Sequence, residues 1–423
     1  MARTRREILV GGAAALGWAT FGGLERAAAA ALRGATAPAT NTVVVALNLF
    51  GGNDGLNTVV PLRQYPRYRQ LRPTLALARN RLLPLAGHAQ DFALNPGMRP
   101  LARLFAAGKM AIVNGVGCPT DAQGLFDHEA SQQNFLTGQT WGSAPPTAPS
   151  GWLGRYLDRL APASLPGGID FSGAPLLLSG ESASPLSLNS INGFGVYPSD
   201  DFEARYAAYA RLHAGAAAPG VAARNRALRQ QVLALGGELQ AISDGYAVAG
   251  GVTYPPTYLA AALRDCAALI AADRGVRALA VGHGGFDTHA GQQEVSDTTP
   301  YHEGLWLTAA EAIDAFYADL VGHGLASRVL LLVFSEFGRR AEENSDLGTD
   351  HGLAAPLLAI GDPVAGGIYG DYPDLSAGRL VLDGNLDVSV DFRRVFATVL
   401  ARHLGVDPVP ILGGDHTPLG FLG

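Results

Sequence analysis

The stretch Val329-Leu330-Leu331-Leu332-Val333-Phe334, followed by Ser335-Glu336-Phe337-Gly338-Arg339-Arg340, decides the fold class. Six successive apolar residues leave no polar face, the pattern of a strand covered by helices on both sides of a parallel sheet. Working outward, short apolar runs recur at 42–50, 110–116, 175–179, 278–282 and 356–360. Between and beyond them lie longer stretches of helical period, at 98–107, 126–136, 200–213, 221–242, 257–272, 302–322 and 391–404. This alternation predicts an α/β fold: a doubly wound, mostly parallel sheet with helices on both faces. Residues 145–254 break the rhythm with Gly/Ser/Pro-rich loops and read as an irregular helical insertion or cap. No repeat of fixed period is present.

Composition narrows the function. The 423 residues are 48% hydrophobic and 16% charged, a balance that fills a large core and excludes disorder over most of the length. The net charge is -6, and Lys109 is the only lysine among 31 basic residues. No basic stripe can follow a phosphate backbone, so nucleic acid is excluded as a partner. Cys118 and Cys266 are the only cysteines, too few for a disulfide framework or a cysteine zinc cluster, though a single bridge stays open.

The N-terminal Thr4-Arg5-Arg6-Glu7-Ile8-Leu9-Val10 reads as a twin-arginine export signal, followed by a weakly apolar stretch and an alanine run. That stretch is shorter than the roughly 20 apolar residues a membrane span needs, so no stable anchor is expected after cleavage. A signal over 1–37 and a mature domain over 38–423 follow. Removing the signal takes five arginines and two acidic residues, leaving 26 basic against 35 acidic residues. The expected location is periplasmic or secreted, with the twin-arginine translocase as partner through the signal.

Ligands of open parallel sheets bind beyond the carboxyl ends of the strands, and four such places carry polar residues. The run at 42–50 leads into Gly51-Gly52-Asn53-Asp54-Gly55-Leu56-Asn57, where glycines permit close approach and Asp54 offers a hard oxygen. The run at 278–282 leads into His283-Gly284-Gly285-Phe286-Asp287-Thr288-His289. Residues two apart in an extended segment point the same way at roughly 6–7 Å, so Asp287 and His289 can meet on one ion. Glu336 and Arg339 leave the strand quoted first, and Gly348-Thr349-Asp350-His351-Gly352 follows. Together these supply oxygen and nitrogen donors beside an arginine.

These segments, with Arg72-Pro73, together resemble the DUF1501 family, exported bacterial proteins of the alkaline-phosphatase-like superfamily, which also holds sulfatases and phosphomutases. The resemblance covers nearly the whole exported chain. It implies metal ions held at strand ends by Asp and His around a Ser, Thr or modified Cys nucleophile. Carried over residue by residue, it implies Asp54, Asp287, His289, Glu336 and His351 as ligands of one or two divalent ions, with Arg339 holding an ester oxygen. Two departures stand out. Relatives commonly carry Asp-His where this chain has Glu336-Phe337, which removes a nitrogen ligand and keeps a single-ion site open. Where related sequences carry Ser-His, this chain has Asp127-His128-Glu129. Thr120 then remains as a candidate catalytic hydroxyl, with Ser131 another hydroxyl nearby and Asn57 beside the metal-ligand loop, and His128 as a ligand or general acid.

The expected function is an exported metal-dependent hydrolase of phosphate, sulfate or related anionic esters, its partner a small anionic ester. The alternative is a non-catalytic periplasmic protein that binds a metal or a partner on the same fold. A serine esterase of the Gly-Asp-Ser-Leu type fails on motif order, since only the export signal precedes the Gly-x-Asn-Asp block.

Overall fold

The computed structural model describes residues 41–423 apart from 123, 141–148, 162, 193–220 and 297. The expected export signal and the helix expected at 200–213 lie outside the described residues. Among those described, the central sheet has nine strands: β1 (Val43–Leu49), β2 (Met110–Gly117), β3 (Gly168–Asp170), β4 (Leu186–Ser187), β5 (Ala278–His283), β6 (Val329–Phe334), β7 (Ala355–Ile360), β8 (Gly367–Tyr369) and β9 (Val390–Asp391). Their order is β8-β2-β7-β6-β1-β5-β3-β4, with β9 also on β2. Only β7 runs antiparallel, to β6 and to β2. The expected mostly parallel α/β sheet is therefore what the chain forms.

The unbroken apolar runs are explained by two cores. Along β1, Val43, Val45, Leu47 and Leu49 enter one cluster and Val44 and Ala46 the other. In β6, Leu331 and Val333 face the first, and Leu330, Leu332 and Phe334 the second. Helices α2 (Arg99–Ala106), α6 (Tyr258–Ala272) and α7 (Tyr301–Gly322) cover the first face. The second is covered by α3 (His128–Thr137), α4 (Trp152–Leu157) and α8 (Phe392–Thr398). The other α-helices among the described residues are α1 (Tyr65–Leu71), α5 (Val221–Gly245) and the single turn α9 (Val409–Leu412). Each buried Val, Leu or Phe contributes about 1.5–3 kcal/mol. With both faces of β1 and β6 filled, a one-residue slip would exchange every packed side chain between cores, which fixes the register and hence the place where each strand ends.

One expected strand is corrected. Residues 175–179 form a 3-10 turn over Pro175–Leu178, because Pro175 suits the first position of a helical turn and cannot donate to a ladder. Leu177 and Leu178 enter the second core from that turn. The strands next to it, β3 and β4, are two or three residues long and extend the sheet beyond β5. Cys118 and Cys266 are both buried and unbridged. Among the described residues no helix is long and apolar enough to cross a membrane.

Candidate metal centre

Three histidines and one aspartate converge beyond the carboxyl ends of β1, β5 and β6. Asp287 and His289 lie on the loop after β5, His351 on a two-residue strand, and His128 at the first position of α3. His351 is brought in because His351–Gly352 pairs antiparallel with Gly338–Arg339, the turn that leaves β6. His128 is brought in by helix capping: the Asp127 carboxylate accepts from Ala130 N at 2.8 Å and starts α3 there. Asp127 thus has a structural reason for standing where a hydroxyl was sought.

Every imidazole offers its Nε2 to the same carboxylate. Asp287 Oδ1 is 3.2 Å from Nε2 of both His289 and His351, and Oδ2 is 3.4 Å from Nε2 of His128. Ligand atoms of His128, Asp287 and His351 all lie within 4.8 Å of one another. His289 Nε2 joins them at 2.8 Å from His351 Nε2.

The other ring nitrogens are held from outside. His128 Nδ1 is 3.0 Å from Glu336 Oε1, His351 Nδ1 is 2.7 Å from Phe126 O, and His289 Nδ1 is 3.4 Å from Asp350 Oδ1. A carbonyl or ionised carboxylate only accepts, so a proton on each Nδ1 satisfies these contacts, and a ring in that tautomer presents an Nε2 lone pair inward. Two such lone pairs facing each other at 2.8 Å, beside a carboxylate, form a place that a cation would fill. Burial, with the charge of Arg339, depresses the His351 pKa and favours the neutral ring. The donor set therefore fits a divalent ion of the kind that takes imidazole nitrogen and carboxylate oxygen.

Arg339 holds Asp287 in place. Its side chain is completely buried, and Nη2 donates to Asp287 Oδ1 at 2.5 Å. Nε reaches Gly52 O at 2.8 Å, Nη1 reaches Thr349 O at 2.6 Å, and Nη2 also meets the carbonyls of Phe286 and Gly51. Partial burial raises the Asp287 pKa, but the hydrogen bond and charge of Arg339, aided by His351 and His289, outweigh it and hold the group at about 2. Gly51 permits this closeness: its φ is +119°, and a Cβ there would stand 2.2 Å from Asp287 N.

The residues expected from sequence divide accordingly. The structure brings Asp287, His289, His351 and His128 together. Glu336 differs from its expected role as a ligand: it is 1% exposed, and its Oε1 accepts from Gly51 N at 2.9 Å and faces His128 Nδ1. Its Oε2 accepts from Ser335 Oγ at 2.9 Å. Arg339, expected to grip an ester oxygen, has no exposed surface with which to do so. Asp54 pairs instead with Arg72 Nη1 at 2.5 Å in full burial. Thr120 is exposed, and it makes no hydrogen bond to the cluster. Among the described residues no serine or threonine hydroxyl is hydrogen-bonded to His128, Asp287, His289 or His351. Phe337, at the position where a nitrogen ligand was looked for, packs its ring 4.4 Å from His351 and 5.0 Å from His128.

The outer carboxylate at His289, Asp350, was visible in sequence as the partner of His351 but not as its neighbour's anchor. Replacing Glu336 by Gln, which keeps the shape and removes the charge behind His128, is expected to weaken metal binding about 10–100-fold without unfolding the protein. Calorimetric titration with Zn²⁺ checks this.

A family model described as a protein of unknown function, DUF1501, matches residues 41–412. No curated protein matches the sequence. Among solved structures, the lipoteichoic acid synthase LtaP of Listeria monocytogenes is similar at 8% identity, over 92% of this chain and 79% of that one, with a TM-score of 0.37. The sulfatase PsFucS1 of a Pseudoalteromonas species is similar at 11%, over 94% and 73%, also at 0.37. The alkaline phosphatase of the Antarctic bacterium TAB5 is similar at 11%, over 88% and 98%, at 0.30. Likeness of that degree assigns neither substrate nor chemistry to this chain.

Proposed function

Because this chain belongs to DUF1501, a family of unknown function, we propose its activity from the centre itself: metal-dependent hydrolysis of a phosphate, sulfate or related anionic ester. The observation that carries the reading is the convergence of three Nε2 atoms on Asp287, each ring oriented by an oxygen behind it. His128, His289, His351 and Asp287 would hold the ion, and Glu336, Asp350 and the Phe126 carbonyl would orient the rings. When bound, a divalent ion polarises an ester oxygen and lowers the pKa of water at the same place.

What this chain supplies around the ion is position and access. Arg339 fixes the carboxylate from below, and Phe337 forms an apolar floor under His128 and His351. The side chains of Asp287 and His289 are 47% and 45% exposed, so the outer side faces solvent, as a site that exchanges ligands requires. The resemblance of the strand-end motifs to the alkaline-phosphatase-like superfamily supports the anionic ester as substrate class. The Arg5-Arg6 motif supports twin-arginine export and a periplasmic or secreted location.

A second reading, a non-catalytic metal- or partner-binding protein, is favoured by the lack of a hydroxyl bonded to the cluster among the described residues and by the full engagement of Arg339. One experiment separates the two. Metal content of the purified protein is measured by mass spectrometry, and turnover of nitrophenyl phosphate and nitrophenyl sulfate is followed with and without a chelator. A bound ion with chelator-sensitive turnover supports the hydrolase. A bound ion without turnover across a wider ester panel favours the second reading, and no bound ion refutes the metal centre.

A further inference from the structure

Asp54 is the strand-end carboxylate that the resemblance gives to a metal, yet its surroundings are those of an internal ion pair. Arg72 Nη1 lies 2.5 Å from Asp54 Oδ2, and both side chains are completely buried. Gln292 Nε2 donates to the same oxygen at 2.5 Å, while Gln292 Oε1 accepts from the hydroxyls of Thr288 and Thr349 at 2.8 and 3.0 Å. Thr288 lies between Asp287 and His289, and Thr349 two residues before His351. Arg72 is locked from its other side: Nε donates to Ala341 O at 3.0 Å, Nη2 to Arg340 O at 2.8 Å and Nη1 to Asn57 Oδ1 at 3.1 Å.

A guanidinium keeps its charge at any pH at which a protein is folded. The Asp54 carboxylate is therefore already neutralised, and a divalent ion on it would meet a fixed positive charge at close range in a poorly screening interior. A second metal is the one implied group that the residues present do not fit. We infer that Arg72 is a built-in cation standing in for a second metal, so that the chain binds a single divalent ion at His128, Asp287, His289 and His351. Asp54 then acts from behind, bracing the metal-bearing loops through Gln292. The inference rests on the metal reading above in its ion count, and on the buried pair alone for the role of Arg72.

The rival arrangement is equally concrete. Asp54 Oδ1 and His302 Nδ1 are buried atoms without a hydrogen-bond partner, and a second ion would have to use them. The full chain is therefore stripped with EDTA, reloaded with Zn²⁺ and read by mass spectrometry and calorimetry. One ion per chain is expected. Asp54→Asn should keep that ion with affinity changed by less than about tenfold, below the range that marks loss of an outer-shell partner. Asp54→Asn strands the Arg72 charge, so Asp54→Asn/Arg72→Gln, neutral on both sides, is measured with it and with Arg72→Gln. The double variant should melt above the level that addition of the two single shifts gives, and still bind one ion. Two ions in the wild type, one of them lost in Asp54→Asn or His302→Ala, overturn the inference while leaving the metal reading intact. Additive melting shifts overturn it as well. No ion in the wild type refutes the metal reading and the ion count, and the melting cycle still decides whether Arg72 is Asp54's counter-charge.

Discussion

Asp287→Asn protein is expected to emerge folded and free of metal, its affinity for Zn²⁺ lower by more than about 100-fold, beyond the usual cost of losing an outer-shell partner. The size of the effect follows from where the carboxylate sits. Asp287 is the one group that approaches all three inward-facing nitrogens, at 3.2 Å from His289 and His351 and 3.4 Å from His128. It also supplies the only negative charge among the four donors. An amide preserves the outline but carries no charge, and its NH₂ end must face either the Arg339 donors or an imidazole lone pair. Folding should survive, because the Asp287 side chain is half exposed and the buried framework around Arg339 keeps its carbonyl partners. His351→Ala is the companion variant, removing a ligand without touching Arg339. Calorimetry and mass spectrometry read the metal, and thermal melting reads the fold. Wild-type metal content in both variants would rule out this cluster as the ion's place.

How far the sequence disclosed this centre depends on how local each signal was. Asp287, His289 and His351 were legible because each is a donor set among glycines just past, or one turn removed from, a fully apolar strand. The strands β1, β5 and β6 were legible for the same reason: four to six apolar residues in a row, apolar on both faces, fit a strand of a helix-covered sheet. By contrast β3, β4 and β8 are two or three residues long and carry too little pattern to register. Residues 175–179 looked like a strand on apolar content, and the proline at their head decided for a turn. Glu336, Arg339 and Asp54 sit behind the cluster rather than in it. A charged residue at a strand end looks the same in sequence whether it faces the ligand or holds what does. Only the packing distinguishes them, and it depends on partners far away in the chain: His128 for Glu336, Asp287 and four carbonyls for Arg339, Arg72 for Asp54.

Arg339→Ala is expected to cost about 3 kcal/mol of folding stability, chiefly through the buried carbonyls it leaves without a donor, its ion pair with the half-exposed Asp287 adding less. The guanidinium ties three segments to one point: the end of β1 through the carbonyls of Gly51 and Gly52, the loop after β5 through Phe286 and Asp287, and the 349–351 segment through Thr349. A buried carbonyl left without a donor costs about 1–3 kcal/mol, reduced where water enters the space that the side chain leaves. The losses are not additive, since one relaxation of the loops serves all of them. Arg339→Lys should recover little, because one ammonium has three donors on a single atom and cannot span carbonyls reached by Nε, Nη1 and Nη2 in a planar fork. Urea denaturation read beside a Zn²⁺ titration gives a clear decision. If Arg339 positions the centre, both variants lose stability and metal affinity together, because Asp287 loses its anchor. If Arg339 gripped an ester oxygen, the variants would fold and bind metal like the wild type, and only KM would rise. A side chain with no exposed surface and five acceptors already in reach is built for the first outcome.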